Sequence, residues 1–227
     1  VTTAPAAPAI LGRLLTLPGV YVPQSDSFLL AEAMRREGIR VGMDVLDVCT
    51  GSGALGLYAA RLGARVTAVD IGRRAVLITR LNALLARRRL IVRRGDLMAS
   101  LPANSFDVVV TNPPYVPGPG AHPPCRGAAR AWDAGANGRA LVDRICDSAP
   151  AVLRPQGVLL MVHSALCGTD ATLRRLSLAG MRATISDRTH IPFGPVLRER
   201  LSWLRERGLV ESREEMEELV IIRAEKI

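Results

Sequence analysis

The polarity pattern along the chain alternates short apolar runs with longer amphipathic stretches. Apolar runs fall near 44–49, 65–69, 90–94, 106–111 and 157–162, each of a length and composition suited to a strand buried on both faces. Helical spacing covers about 54–62, 72–86, 139–153 and 169–179, so strand and helix take turns. That order predicts an α/β fold in which a parallel sheet is covered by helices on both faces. Two more strands, near 182–188 and 217–224, bring the expected sheet to seven. A further helix over 27–36 precedes the first strand, with Asp26 or Ser25 as its cap. Residues 1–9 are Ala, Pro and Thr without a period and read as a disordered tail, leaving 10–227 as one domain.

Two stretches interrupt the alternation. Residues 116–136 form a Pro, Gly and Ala-rich loop that is long for a structural connection, and such loops commonly serve as lids or substrate-binding segments. We expect it to be mobile without substrate, because its composition offers few apolar anchors. Residues 194–208 carry Leu197, Leu201 and Leu204 at helical spacing beside Trp203, which predicts one amphipathic helix packed on the body.

Composition narrows the function classes. No apolar run is long enough to span a bilayer and no signal-peptide pattern is present, so the expected compartment is the cytoplasm. Cys49, Cys125, Cys146 and Cys167 are scattered without a Cys-x-x-Cys pair, which argues against a disulfide framework or a zinc site. His163 and His190 read as structural. The net charge of +9 suggests nucleic acid at first sight, but Lys226 is the only lysine, and an arginine surplus in an Ala- and Leu-rich chain has a compositional origin. Arg87-Arg88-Arg89 with Arg93-Arg94 is the one local basic cluster. Base-stacking aromatics are scarce, and only Tyr115 is well placed.

Chemistry gathers where the predicted strands end. The first strand runs through Asp47 into Gly51-Ser52-Gly53-Ala54-Leu55-Gly56 and then a helix, a strand, glycine turn and helix whose backbone admits a ligand closely. Asp70 ends the second strand, about 20 residues on, where a carboxylate holds ribose hydroxyls. A dinucleotide would satisfy this fingerprint, as would S-adenosylmethionine. Asp47, Asp96-Leu97 after the third strand and Asn112-Pro113-Pro114-Tyr115 after the fourth favour the latter. A carboxylate at Asp47 suits a cationic methionine end and would repel a pyrophosphate.

The tetrapeptide suits methylation of a planar amino or amide nitrogen. Such a nitrogen is a poor nucleophile because its lone pair is delocalised. The Asn112 side-chain oxygen and the Pro113 carbonyl can accept its N–H groups and point the lone pair at an electrophile, while Tyr115 stacks on its plane.

With these residues in place the chain resembles the class I methyltransferases and, within them, the HemK family of protein glutamine N5-methyltransferases. It looks most like the short branch without an N-terminal helical domain. The resemblance spans nearly everything from Gly19 to Lys226 and rests on Gly19-Val20-Tyr21-Val22-Pro23-Gln24-Ser25-Asp26-Ser27-Phe28-Leu29-Leu30, Asp47-Val48-Cys49-Thr50-Gly51-Ser52-Gly53, Ala131-Trp132-Asp133-Ala134-Gly135-Ala136-Asn137-Gly138-Arg139 and Arg198-Glu199-Arg200-Leu201-Ser202. It implies a Rossmann-like, seven-stranded, mostly parallel sheet with one of the last two strands antiparallel. It implies S-adenosylmethionine held by Asp26, Ser27, Asp47, Asp70, Asp96, Leu97 and Asn112 around the Gly51–Gly53 turn, with Asn112, Pro113 and Tyr115 at the reacting nitrogen. The implied substrate is a glutamine side chain, as in a Gly-Gly-Gln-like loop of a peptide release factor, and a small activating subunit belongs to the same expectation. An adenine-type N6-methyltransferase acting on DNA or RNA shares the tetrapeptide and is the alternative; a binding protein without activity is a third reading, opposed by the intact motifs. Two positions depart from the family: Ala128-Ala129-Arg130 stand where an acid is usual, and Gln24-Ser25 precede Asp26 where the short branch tends to carry one.

Overall fold

The computed structural model describes residues 11–227, so the tail expected over 1–9 lies outside the described residues. Seven strands form one sheet: β1 (Asp44–Val48), β2 (Arg65–Asp70), β3 (Leu90–Arg94), β4 (Phe106–Thr111), β5 (Leu153–Ser164), β6 (Met181–Pro192) and β7 (Met216–Lys226). Their spatial order is β3-β2-β1-β4-β5-β7-β6. β1 through β5 pair in parallel, whereas β7 is antiparallel to both β5 and β6. The last strand in sequence is therefore inserted between two earlier ones.

Burial explains the apolar runs. β1 and β4 lie centrally and are buried nearly throughout, so neither can carry the polar alternation of a one-sided strand. β6, at the edge, alternates half-buried and exposed positions after its first residue. Helices α1 (Ser25–Arg36), α2 (Ala54–Arg61) and α3 (Arg73–Leu85) pack on one face, where Leu30, Met34, Leu55 and Ala59 meet Val45, Val108 and Leu160. Helices α4 (Ala140–Val152) and α5 (Thr169–Leu178) cover the other, with Ile145, Ala149 and Leu176 against Val109, Leu159 and Ile222. β1 and β4 are neighbours whose connections leave in opposite directions, which opens a crevice at their C-terminal ends.

Three local expectations need correcting. α1 starts at Ser25 with Gln24 in the capping position and no side-chain cap, so neither Ser25 nor Asp26 caps it; Asp26 is turned inward instead. Residues 194–208 form two short helices, α6 (Pro195–Glu199) and α7 (Leu201–Glu206), rather than one. They part at Arg200, whose guanidinium reaches Pro117 O at 2.7 Å and Asp133 at 2.8 Å. Leu197 and Leu204 still share one cluster, with Phe193 and Val210.

The loop over 116–136 is the third, because it is anchored. Val116 N–H donates to Trp132 O and Ala134 N–H to Val116 O, Gly118 N–H donates to Gly135 O, and residues Ala128–Ala131 make a 3₁₀ turn. Gly118 has no room for a side chain, since a Cβ there would collide with the Asp133 carboxylate. Proline and glycine supply few apolar anchors, as read from sequence, but polar anchors replace them. Only its tip, around Gly120 to Gly127, is mostly exposed.

Candidate active site

The site is built where β1, β2, β4 and β5 end, and it has two halves. In the first, Asp70 at the end of β2 accepts the Gly51 N–H at 3.0 Å and the Gly72 N–H at 2.7 Å. Burial raises its pKa, opposed first by those amides and then by Arg130 of the loop. Gly51 and Gly53 both take positive φ. At Gly53, with φ 84°, a Cβ would also stand 2.8 Å from Thr79, so the turn needs glycine twice over. Thr79 in turn donates to Gly51 O at 3.0 Å.

Asp47 lies fully buried behind this turn. Its Oδ2 accepts from Thr50 Oγ1 at 2.5 Å and Gly56 N–H at 2.8 Å, while Oδ1 has no partner among the described residues. Burial is the main cause that pushes this carboxyl up to about 7, and the nearby Asp70 adds to it. A buried carboxyl with one idle oxygen is suited to receive a cation.

The second half gathers around Asp26. Its Oδ2 accepts the hydroxyls of Tyr21 at 2.7 Å and Tyr115 at 2.9 Å, and its Oδ1 accepts the N–H of Ser27 at 2.5 Å and its hydroxyl at 3.2 Å. Asn112 Nδ2 donates to Ser27 Oγ at 3.3 Å. That bond fixes the amide so that its Oδ1 receives no bond from any described residue and stays available as an acceptor. Pro113 is buried beside it, and Tyr115 is only 9 % exposed. Burial, then the charges of Asp26 and Glu217, raise the Tyr115 phenol well above its ordinary value, so it remains a hydroxyl donor. Behind it, Cys167 donates its thiol to Tyr115 O at 3.0 Å.

Of the residues singled out from sequence, Asp47, Gly51, Gly53 and Asp70 therefore come together, as do Asp26, Ser27, Asn112, Pro113 and Tyr115. Asp96 stands apart: it is exposed and paired with Arg144 at 2.8 Å. Leu97 beside it is buried with φ 49°.

Glu217, near the start of β7, was not singled out. It is 6 % exposed, its Oε1 has no partner among the described residues, and its carboxyl is pushed up to about 7, first by burial and also by Asp26. His163 is likewise fully buried; its Nδ1 meets Ser164 O at 2.8 Å, Nε2 has no described partner, and burial lowers its pKa to about 4. Arg87-Arg88-Arg89 lies before β3, at the opposite end of the strands from these groups.

Comparison with known proteins bears on the family and the fold. Residues 12–126 match the family described as methyltransferase small domain. A Methanocaldococcus jannaschii protein named as a protein N5-glutamine methyltransferase is 32% identical over 80% of this chain and 90% of its own length. The ribosomal protein uL3 glutamine methyltransferase of Bradyrhizobium diazoefficiens is 43% identical over 51% of this chain, which spans only 39% of that protein. Among solved structures, the Mtq2-Trm112 complex of E. cuniculi, described as responsible for methylating the termination factor eRF1, aligns over 92% of this chain and 99% of the matched one with TM-score 0.64 and 27% identity.

Proposed function

The chain belongs to the methyltransferase small domain family as a short HemK-type member and is an S-adenosylmethionine-dependent N-methyltransferase, and we propose that its acceptor is a glutamine side chain of a protein, with a peptide release factor as the first candidate. The observation that supports transfer to a planar nitrogen is the Asn112–Ser27 bond, after which Asn112 Oδ1 takes no donor from any described residue. With the Pro113 carbonyl it offers two acceptors to the two N–H groups of such a nitrogen, and the likeness to a protein named as an N5-glutamine methyltransferase favours an amide.

The residues present fit the cofactor. Asp70 offers a carboxylate to ribose hydroxyls, the Gly51–Gly53 turn lets the ligand approach the backbone, and the idle Asp47 Oδ1 suits the methionine ammonium. Leu97 would line the adenine end, and Asp96 would join it only by leaving its pair with Arg144. When bound, S-adenosylmethionine supplies an electrophilic sulfonium methyl and departs as the neutral thioether. Asn112 and Pro113 orient the amide nitrogen, localise its lone pair and favour the positive charge that develops on it. Tyr115, fixed through Asp26, forms a wall against the amide plane. The methylated nitrogen becomes far more acidic and its proton leaves to water, so no strong base is required.

The reading extends to a small activating subunit. α3 exposes Leu77, Leu81, Leu84 and Leu85 on one side, and the adjoining β3, an unpaired sheet edge, exposes Ile91. Apolar stripes beside open edges are surfaces for partners. Among the described residues no helix is long and apolar enough to cross a membrane, and the cytoplasm, where release factors act, is the compartment we propose.

Labelled S-adenosylmethionine in a host lysate, divided between protease and nuclease treatment, tests the substrate class. Label should vanish with protease and map to a glutamine. Label lost to nuclease would select the adenine-type alternative instead.

A further inference from the structure

We propose that Glu217 is a further substrate-contacting residue of the acceptor pocket, a neutral carboxylic acid whose O–H donates to the carbonyl oxygen of the amide being methylated. This rests on the glutamine reading above and deepens it.

Donor accounting leads to it. A primary amide brings one acceptor oxygen as well as two N–H groups, and burying that oxygen without a donor is costly. Asn112 Oδ1 and Pro113 O serve only the N–H groups. The nearby tyrosine and Ser27 hydroxyls are already committed: Tyr21, Tyr115 and Ser27 donate to Asp26, and Asn112 gives an N–H to Ser27. Glu217 Oε1 is the buried polar atom here without a partner among the described residues.

The surroundings select its protonated form. Four donors converge on Asp26, and its charge acts on Glu217. The β5–β7 register sets Leu219 opposite Ser164 at the end of β5, which carries Glu217 just past that end, and the charges that act with it belong to Asp26 of α1, Tyr21 before it, Tyr115 after β4 and Cys167 after β5; none of these is positive. On β6 the paired residue is Ile191, while Arg188 is engaged by Glu218. A carboxyl pushed up to about 7 keeps its proton at pH 6 and loses it as pH rises through 7.

The test uses Glu217→Gln, which keeps an N–H donor, and Glu217→Ala, which does not. The probe is a recombinant peptide release factor with its Gly-Gly-Gln loop, followed from pH 6 to 9, with cofactor affinity as the control for an intact fold. Glu217→Ala should lower kcat/KM by roughly tenfold or more, while Glu217→Gln should stay within a few-fold of wild type at pH 6 and lose the wild-type decline above neutrality. Wild-type rates in Glu217→Ala, or equal damage in both variants, would overturn the proposal. If the wild-type enzyme methylates no release factor, that substrate assignment fails separately. Infrared spectra then still decide on Glu217: a protonated-carboxyl band at pH 6 that Glu217→Gln removes supports it, and no such band overturns it.

Discussion

The Tyr115 hydroxyl donates to Asp26, 89 positions earlier in the chain, at 2.9 Å. The tetrapeptide after β4 and the first turn of α1 are thereby one unit, and Tyr21 joins them through the same carboxylate oxygen. Replacing Tyr115 with Phe keeps the ring and removes one of four donors on a buried carboxylate. Stability should fall by about 1 kcal/mol, read from denaturant unfolding, and KM for the acceptor should rise. Tyr115→Ala should impair acceptor engagement much further. An unaltered KM in both variants would exclude the ring from the acceptor wall.

Asn112→Ala separates binding from chemistry. Turnover should drop far more than cofactor affinity, because the lost acceptor matters most as charge develops on the nitrogen. Near-normal methyl transfer by this variant, measured with labelled cofactor, would remove Asn112 from its assigned role.

Asp70→Ala takes away the ribose acceptor and leaves the Gly51 and Gly72 amides without theirs. S-adenosylmethionine should bind on the order of 2 kcal/mol more weakly, and wild-type protein should show no binding of NAD in calorimetry. Tight NAD binding would contradict the cofactor assignment.

A pH dependence follows from Asp47. Its carboxyl is pushed up to about 7 in the folded protein from a usual value of 3.8, so between those two values the folded chain holds a proton that the unfolded chain has released. Asp47 therefore favours folding less as pH rises from about 4 to 7. A methionine ammonium needs the ionised form, so binding at pH 6 should expel a proton. Calorimetry in buffers of different ionisation heat measures that release. Asp47→Asn should abolish it, and proton release unchanged in the variant would assign it elsewhere.

Arg200→Ala should unhook the 116–136 loop from the body. Its guanidinium bridges Pro117 O and Asp133, and both charged side chains are largely shielded, at 19% and 10% exposure. Loss of about 2 kcal/mol is expected in thermal unfolding, with faster proteolysis at the loop tip. A melting temperature equal to wild type would show that the loop is held by its backbone bonds alone.

Sequence carried the inner sheet because β1 and β4 are buried on both faces and so read as unbroken apolar runs. Gly51, Gly53, Asp70 and Asn112 were legible as strand-end residues because pattern changes are sharp there. Asp26 was misread as a cap since a polar residue before an apolar helix has that meaning locally; only the return of Tyr115 turns it inward. The single helix over 194–208 failed because leucine spacing cannot register Arg200 being drawn to Asp133. Glu217 was hidden within Glu211, Glu214, Glu215 and Glu218, an acidic run that reads as solvated. Nothing local distinguishes it, since its burial comes from β7 lying beside β5 and approaching Ser164 and Asp26.

The insertion of β7 also sets an order of events during synthesis. β5 and β6 emerge from the ribosome with no partner between them, and each keeps an open edge until residues 216–226 arrive. A nascent chain can therefore form the parallel half of the sheet, and even the turn that receives the cofactor, well before it has a closed sheet or Glu217. Until then its two waiting edges are open to pairing with other strands, so a chain stalled just short of β7 should depend on chaperones far more than one stalled just beyond it.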